Sequence, residues 1–266
     1  MKQKLKEKID FEKLLQAAAE KPYVHVDRES FLRKELKKYR TQKVVEEAVR
    51  NNPAYAGIPV KIIHKIASGC IREEALKTGV LSFGAGIPGG IAMAATIPAD
   101  LVQFYAHLLR VTQMLAYLYG WPELSGEKGE EEANDLITLF TGVMFEVSGA
   151  KQAVQKIGGN LARETREKVR RKPEKQDSLI TTVKNVAKML GTEMTKALLS
   201  MGVSHFLPIA GAVLAGGSTV AGFGKMANRL RKCFESLELA DVSYYRRKNL
   251  SGGSAAADEK KDTESK

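Results

Sequence analysis

TGVLSFGAGIPGGIAMAATIPADLVQFYAHLLRVTQMLAYLYGW, Thr78 to Trp121, is the stretch on which the fold turns. It carries no charged side chain from Thr78 to Ala99, is dense in Gly and Ala, and is interrupted at Pro88 and Pro98. From Pro98 its character changes. Proline suits the first turn of a helix, Asp100 sits where a carboxylate favours the helix N-terminus, and Gly120-Trp121-Pro122 supplies a stop. The spacing predicts one long helix from Pro98 to about Tyr119. Asp100, Gln103, His107 and Arg110 recur at i, i+3, i+7 and i+10, which places them on one narrow face, with Gln113 beyond. Leu101, Phe104, Leu108, Val111, Leu115 and Leu118 occupy the remaining surface. A mostly buried helix with a thin polar stripe is therefore expected.

That stripe is the candidate functional site. An Asp/His pair offers too few ligands for a metal and lacks a nucleophile, so no catalytic residue, metal ligand or cofactor is assigned from it. The glycines upstream give Gly84-x-Gly86-x-x-Gly89, a dinucleotide-loop spacing by count alone. No strand precedes it, no acidic ribose ligand lies beyond it, and the Gly-Lys-Ser/Thr ending of a phosphate loop is absent. Gly86, Pro88, Gly89, Gly90 and Pro98 are read instead as a structural motif of helix breaks and close helix packing. Gly211, Gly216 and Gly217 take the same role in a second apolar window, Ala197–Gly224.

Both windows exceed the roughly 20 residues of a membrane span. Their apolar content comes from Ala and Gly rather than Leu, which favours a soluble or peripheral protein over integral hairpins. The composition is otherwise that of a folded chain: 44% hydrophobic, with 42 basic against 31 acidic residues and a net charge of +11. Such a charge attracts an anionic membrane surface or nucleic acid and says nothing of fold. Nucleic-acid binding is disfavoured, because no helix-turn-helix, RNA-binding motif or aromatic platform accompanies the charge. Cys70 and Cys233 form no disulfide framework or zinc cluster and fit a reducing cytosol. The start, MKQKLKEKIDFEKLLQ, lacks the apolar core of a signal peptide.

Outward from the central stretch the periodicity stays helical. Helices are expected over 2–19, from an Asp27 N-cap through RESFLRKELKKYR, over Thr41–Arg50, and over Pro59–Leu76. Arg33, Lys34, Lys37, Lys38 and Arg40 form a solvated basic face. Beyond the acidic loop 125–135, Leu136, Leu139, Phe140, Val143, Met144 and Val147 mark another helix, and Gly149-Ala150 and Gly158-Gly159 punctuate the chain beyond it. RETREKVRRKPEK (163–175) reads as a basic connector. A helix capped at Asp177 or Ser178 leads to the second Gly-rich window, and a helix over KMANRLRKCFESLELADVSYYRR comes after it. Cys233 is expected to be buried and inert. The order Gly-rich segment then polar-striped helix occurs twice, a weak internal duplication. No strand pattern is present. The reading is an all-α, single multi-helix domain of about eight to ten helices over 1–250, with two central Gly/Ala-rich segments packed together and a disordered tail over 251–266.

The central stretch resembles the signature of the EcsC protein family. The pieces that carry the likeness are Gly86-x-Pro88-Gly89-Gly90, Ile97-Pro98-Ala99-Asp100-Leu101 with Gln103, and Leu115-Ala116-Tyr117-Leu118-Tyr119-Gly120-Trp121. SFLRKELKK (30–38) and PIAGAVLAGG (208–217) are similar to that family as well, and the likeness runs from about Ile9 to Tyr245. The resemblance implies a mostly helical bacterial protein of the cytoplasm, associated with the inner membrane face, and no catalytic residue. The expected function is a non-enzymatic accessory or interaction protein, whose partner is an anionic membrane surface or a membrane-protein complex. The alternatives are a hydrolase-like enzyme using Asp100 and His107, and a nucleic-acid-binding protein.

Overall fold

The computed structural model describes the backbone of residues 11–84, 99–124, 130–163, 177–200 and 212–249, and the side chains of 13–78, 101–124, 131–163, 179–193 and 220–249. All regular structure among these residues is helical, with no strand. The order is α1 (Phe11–Ala19), α2 (Arg28–Leu36), α3 (Gln42–Arg50), α4 (Val60–Gly84), α5 (Ala99–Leu118), α6 (Glu130–Met144), α7 (Ala150–Arg163), α8 (Asp177–Ser200) and α9 (Ala212–Glu235). A 3-10 turn (Glu238–Ala240) and a final helix over 242–249 close the described chain.

Local chemistry sets most of these limits. Asp27 caps α2, accepting the Ser30 amide at 2.8 Å. Helix α5 closes on Gly120 at φ 95°, with the Trp121 amide reaching back to Ala116 O and the Gly120 amide to Tyr117 O. A Cβ at Gly120 would also stand 3.0 Å from Leu239 O, so both the backbone angle and the space demand glycine. Helix α6 closes in the same way, yet Glu146 holds the left-handed position at φ 58°.

Three boundaries differ from expectation. Helix α4 continues past Leu76 to Gly84, because no proline intervenes and the backbone amides keep their i−4 partners. Gly158-Gly159 lies inside α7, where a Cβ at Gly158 would meet Leu237 Cδ1 at 2.8 Å. Helix α9 starts at Ala212, within the second Gly-rich window, and stops at Glu235 instead of running on to Arg247. There the amides of Ser236 and Leu237 and the Ser236 hydroxyl turn back onto Cys233 and Phe234 carbonyls, and Leu237 is buried.

Helices α4, α5 and α9 form the centre. Phe104 meets Phe223 and Tyr119 meets Phe234, at centroid distances of 5.7 and 6.3 Å, so α5 and α9 run the same way. Glu74 meets His107, while His64 meets Arg231 and Glu235 near Tyr119, so α4 runs against both. Helix α6 crosses this layer, bringing Phe140 within 4.8 Å of both Trp121 and Phe234. Each large apolar side chain buried in this core contributes about 1.5–3 kcal/mol. Helix α8 lies on α6, so close that a Cβ at Gly142 would sit 2.6 Å from Val186 Cγ1. The order long helix, Gly-rich connection, long helix does recur in α4–α5 and α8–α9. Among the described residues the packing does not repeat with it: α4 lies along α5 and α9, whereas α8 lies along α6.

Candidate functional site

The polar stripe of α5 faces α4 and the extended segment that links α1 to α2. Glu74, on α4, is its focus, with only 2% of its side chain exposed. His107 Nδ1 lies 2.7 Å from Glu74 Oε2. Lys77 Nζ donates to Oε1 at 2.8 Å, and Arg110 Nε stands 3.4 Å from the same oxygen. Lys77 also donates to Glu73, and Arg110 donates through Nη1 to Tyr23 O. The Tyr23 ring covers His107 at 5.5 Å between centroids.

Burial pushes the Glu74 carboxyl up, but the hydrogen bonds and charges of His107 and Lys77 outweigh it and hold Glu74 below the ordinary glutamate value. Burial pulls Lys77 down, and its bonds to Glu73 and Glu74 prevail and raise it. Tyr23 is raised by burial and by the nearby Glu74 charge. With Glu74 ionised, His107 donates from Nδ1, which leaves Nε2 the acceptor in the neutral ring.

One turn further on, Gln113 clasps the extended segment. Its Nε2 donates to Val24 O at 3.0 Å and to Leu109 O at 3.1 Å, while Oε1 accepts the Val26 amide at 3.1 Å. The stripe thus ties α5 to α4 and to residues 23–26. The geometry joins His107 and Arg110 of the expected site and adds Glu74, Lys77, Gln113 and Tyr23. Gln103 is half-buried and joins none of these bonds. The Asp100 side chain lies outside the described residues, as do Gly86, Pro88, Gly89, Gly90, Pro98 and Gly211; Gly216 and Gly217 are in the N-terminal half of α9. No Ser, Thr or Cys among the described residues is hydrogen-bonded to His107, so the Glu74–His107 pair orients an imidazole without an attached nucleophile.

At the other end of α4 lies a second polar cluster. Arg231, 7% exposed, donates through Nε to Asn228 at 2.9 Å and through Nη1 to Glu235 Oε2, with His64 Nδ1 3.0 Å away. The Tyr119 hydroxyl is buried beside Arg231 without a well-formed hydrogen bond, and burial, then the Glu235 charge, pushes it up to about 12. Nearby, Arg28 is buried against neutral oxygens: Trp121 O, Val49 O and Asn51 O, at 3.2, 2.7 and 2.9 Å. Glu123 accepts the Arg28 amide and the Tyr117 hydroxyl. Cys233 is buried as expected, and burial pushes the Cys70 thiol to about 12, which makes it inert.

Among the described residues no group of three His, Cys, Asp or Glu side chains is placed to hold a metal ion. Among them, too, no helix is long and apolar enough to cross a membrane. Comparison of the chain with protein-family models, with characterised proteins and with solved structures finds no match.

Proposed function

We infer that this is a non-enzymatic accessory protein of the cytoplasmic membrane face, in contact with the bilayer through one end of the α4/α5/α9 layer. One observation carries the reading. The two charge-free stretches, 78–99 and 197–224 apart from His205, are far apart in sequence. Because α4 runs against α5 and α9, the last turns of α4, the first of α5 and the N-terminal half of α9 all gather at the same end. The described parts of these segments in α4 and α9, residues 78–84 and 212–224, are thereby brought to one pole, an arrangement that suits an interfacial contact. The likeness to the EcsC family, resting on the Pro-Gly-Gly and Ile-Pro-Ala-Asp pieces, points the same way. The polar cluster around Glu74 supports the end from within by locking α4 to α5 just below it.

Flotation with phosphatidylcholine vesicles tests the reading. The full chain floats with the vesicles, and Leu76→Glu, which puts a charge on an exposed apolar side chain of α4, weakens flotation while its unfolding midpoint stays put. Wild-type protein that stays at the bottom at every lipid concentration ends the proposal. Release by detergent alone, with resistance to carbonate, would point to integral hairpins.

A further inference from the structure

His64, near the start of α4, faces two opposite charges with one ring nitrogen. Arg231 Nη1 lies 3.0 Å from His64 Nδ1, and Glu235 Oε1 lies 3.4 Å from the same atom. Both come from α9, one turn apart. A guanidinium only donates, so the nitrogen it meets must carry a lone pair. With Arg231 bound, the neutral ring therefore keeps its proton on Nε2. A ring protonated at both nitrogens has no lone pair to offer. It sets a like charge against Arg231 and turns the same Nδ1 into a donor toward Glu235. Protonation of His64 thus exchanges one partner for the other. At His107 it exchanges nothing, because Nδ1 there already has the Glu74 carboxylate as its partner.

The next partner of Arg231 is marked by Tyr119. That residue is 1% exposed, and its hydroxyl is buried with no hydrogen-bond partner. Such a group is costly to leave unsatisfied, and few persist in a folded protein. The Arg231 charge partly offsets the rise that burial causes in the hydroxyl, so the two lie close, yet they are not aligned for a hydrogen bond. Arg231 Nε is fixed by Asn228 at 2.9 Å, so the guanidinium can pivot about that bond without leaving the cluster. The Arg231 side chain is buried, whereas 46% of the His64 side chain is exposed and open to protons from solvent. Among the described residues the charged and titratable groups facing His64 are Arg231 and Glu235 of α9, with Tyr119 of α5 behind Arg231. Lys61, one turn away on its own helix, is exposed.

We propose that His64 is a proton-operated switch at the junction of α4, α5 and α9: the neutral ring holds Arg231 and leaves the Tyr119 hydroxyl without a partner, and the protonated ring takes Glu235 and releases Arg231 to Tyr119. Through these polar groups the neutral state ties α9 to α4, and the protonated state ties α9 to both α4 and α5. Histidine is the side chain whose ordinary titration falls between pH 5 and 8, so mild acidification is the signal that tightens the junction. The switch is independent of the membrane reading.

Tyr119→Phe, which removes the hydroxyl and keeps the ring, is the test, with thermal unfolding of the full chain followed at pH 8 and at pH 5.5. At pH 8 the lost hydroxyl has no partner, and the variant unfolds at or above the wild-type midpoint. At pH 5.5 it loses a bond to a charged group and unfolds about 3 °C or more below wild type. A loss of the same size at both pH values would show that Tyr119 is bonded in both states and would overturn the switch, as would no loss at either. His64→Gln supplies the control, since its amide oxygen accepts from Arg231 without titrating. In that background Tyr119→Phe has the same effect at both pH values; an acid-dependent loss that persists there would assign the response to another group and overturn the role of His64. The side-chain nitrogen-15 shifts of wild-type His64 give an independent reading. At pH 8 they place the proton on Nε2; a proton on Nδ1 would overturn the Arg231 pairing on which the switch rests.

Discussion

Glu74 shows how one buried charge can be made favourable by its neighbours. Three cationic or donating side chains surround its carboxylate, so removing it strands them. Glu74→Ala should lower stability by about 3 kcal/mol, at the low end for a broken buried pair because Lys77 and Arg110 keep access to water. Urea denaturation reads this directly. The pH dependence comes from the lowered folded value of Glu74. In the unfolded chain the carboxyl takes up its proton at higher pH than in the folded one, so its contribution is complete above the unfolded value and is lost as pH falls through the folded value. The difference between wild type and Glu74→Gln should therefore shrink on acidification from pH 6 toward pH 3. A gap that stays constant over that range would show that ionisation of Glu74 contributes nothing. Gln113→Ala should cost about 2 kcal/mol, since it leaves the Val24 carbonyl and the Val26 amide buried without partners.

At the scale of elements, the ends of helices hold the readable rules and the exceptions. Helix α5 starts at Ala99, one residue from the expected Pro98, and the Asp27 cap and the Gly120 stop are legible in the sequence, because capping residues act within one turn of where they sit. Glu146 in a left-handed cap is not, since its neighbours along the chain give no sign of it. Arg229 supports it from α9, pairing with the Glu146 carboxylate at 2.7 Å and donating to Met144 O. Glu146→Gly should still raise stability by about 0.5 kcal/mol, relief of the backbone angle outweighing the loss of an exposed ion pair. Gly142→Ala should lower it by about 2 kcal/mol through the clash with Val186; both changes are read from thermal unfolding. The stripe of α5 is visible as a pattern, but its meaning is not, because its partners lie on other elements. Glu74 does leave a trace: it falls in register with Ile63, Ala67 and Ile71 on the buried face of α4, where a charge is out of place. Helix α9 starts earlier than expected because packing overrides the low helix propensity of Gly216 and Gly217.

Within the described residues the two ends of the α4/α5/α9 layer differ in charge, and the formal charge conceals this. A net charge of +11 suggests basic flanks beside the apolar windows. Among the described residues, 27–65 and 229–249 at the opposite end hold sixteen basic against eight acidic side chains. If the uncharged pole meets lipid, raising NaCl tenfold should not release the protein from phosphatidylcholine vesicles. A protein stripped from neutral vesicles by salt would contradict this polarity. The clasp between Gln113 and residues 24–26 bears on the same axis in time. The Val26 amide belongs to no helix, yet its hydrogen goes to a side chain on α5 that sits 4% exposed in the core. It cannot exchange with solvent by fraying. It opens only when the extended segment lifts off α5, so its deuterium uptake is a clock for the detachment of α1 from everything behind it.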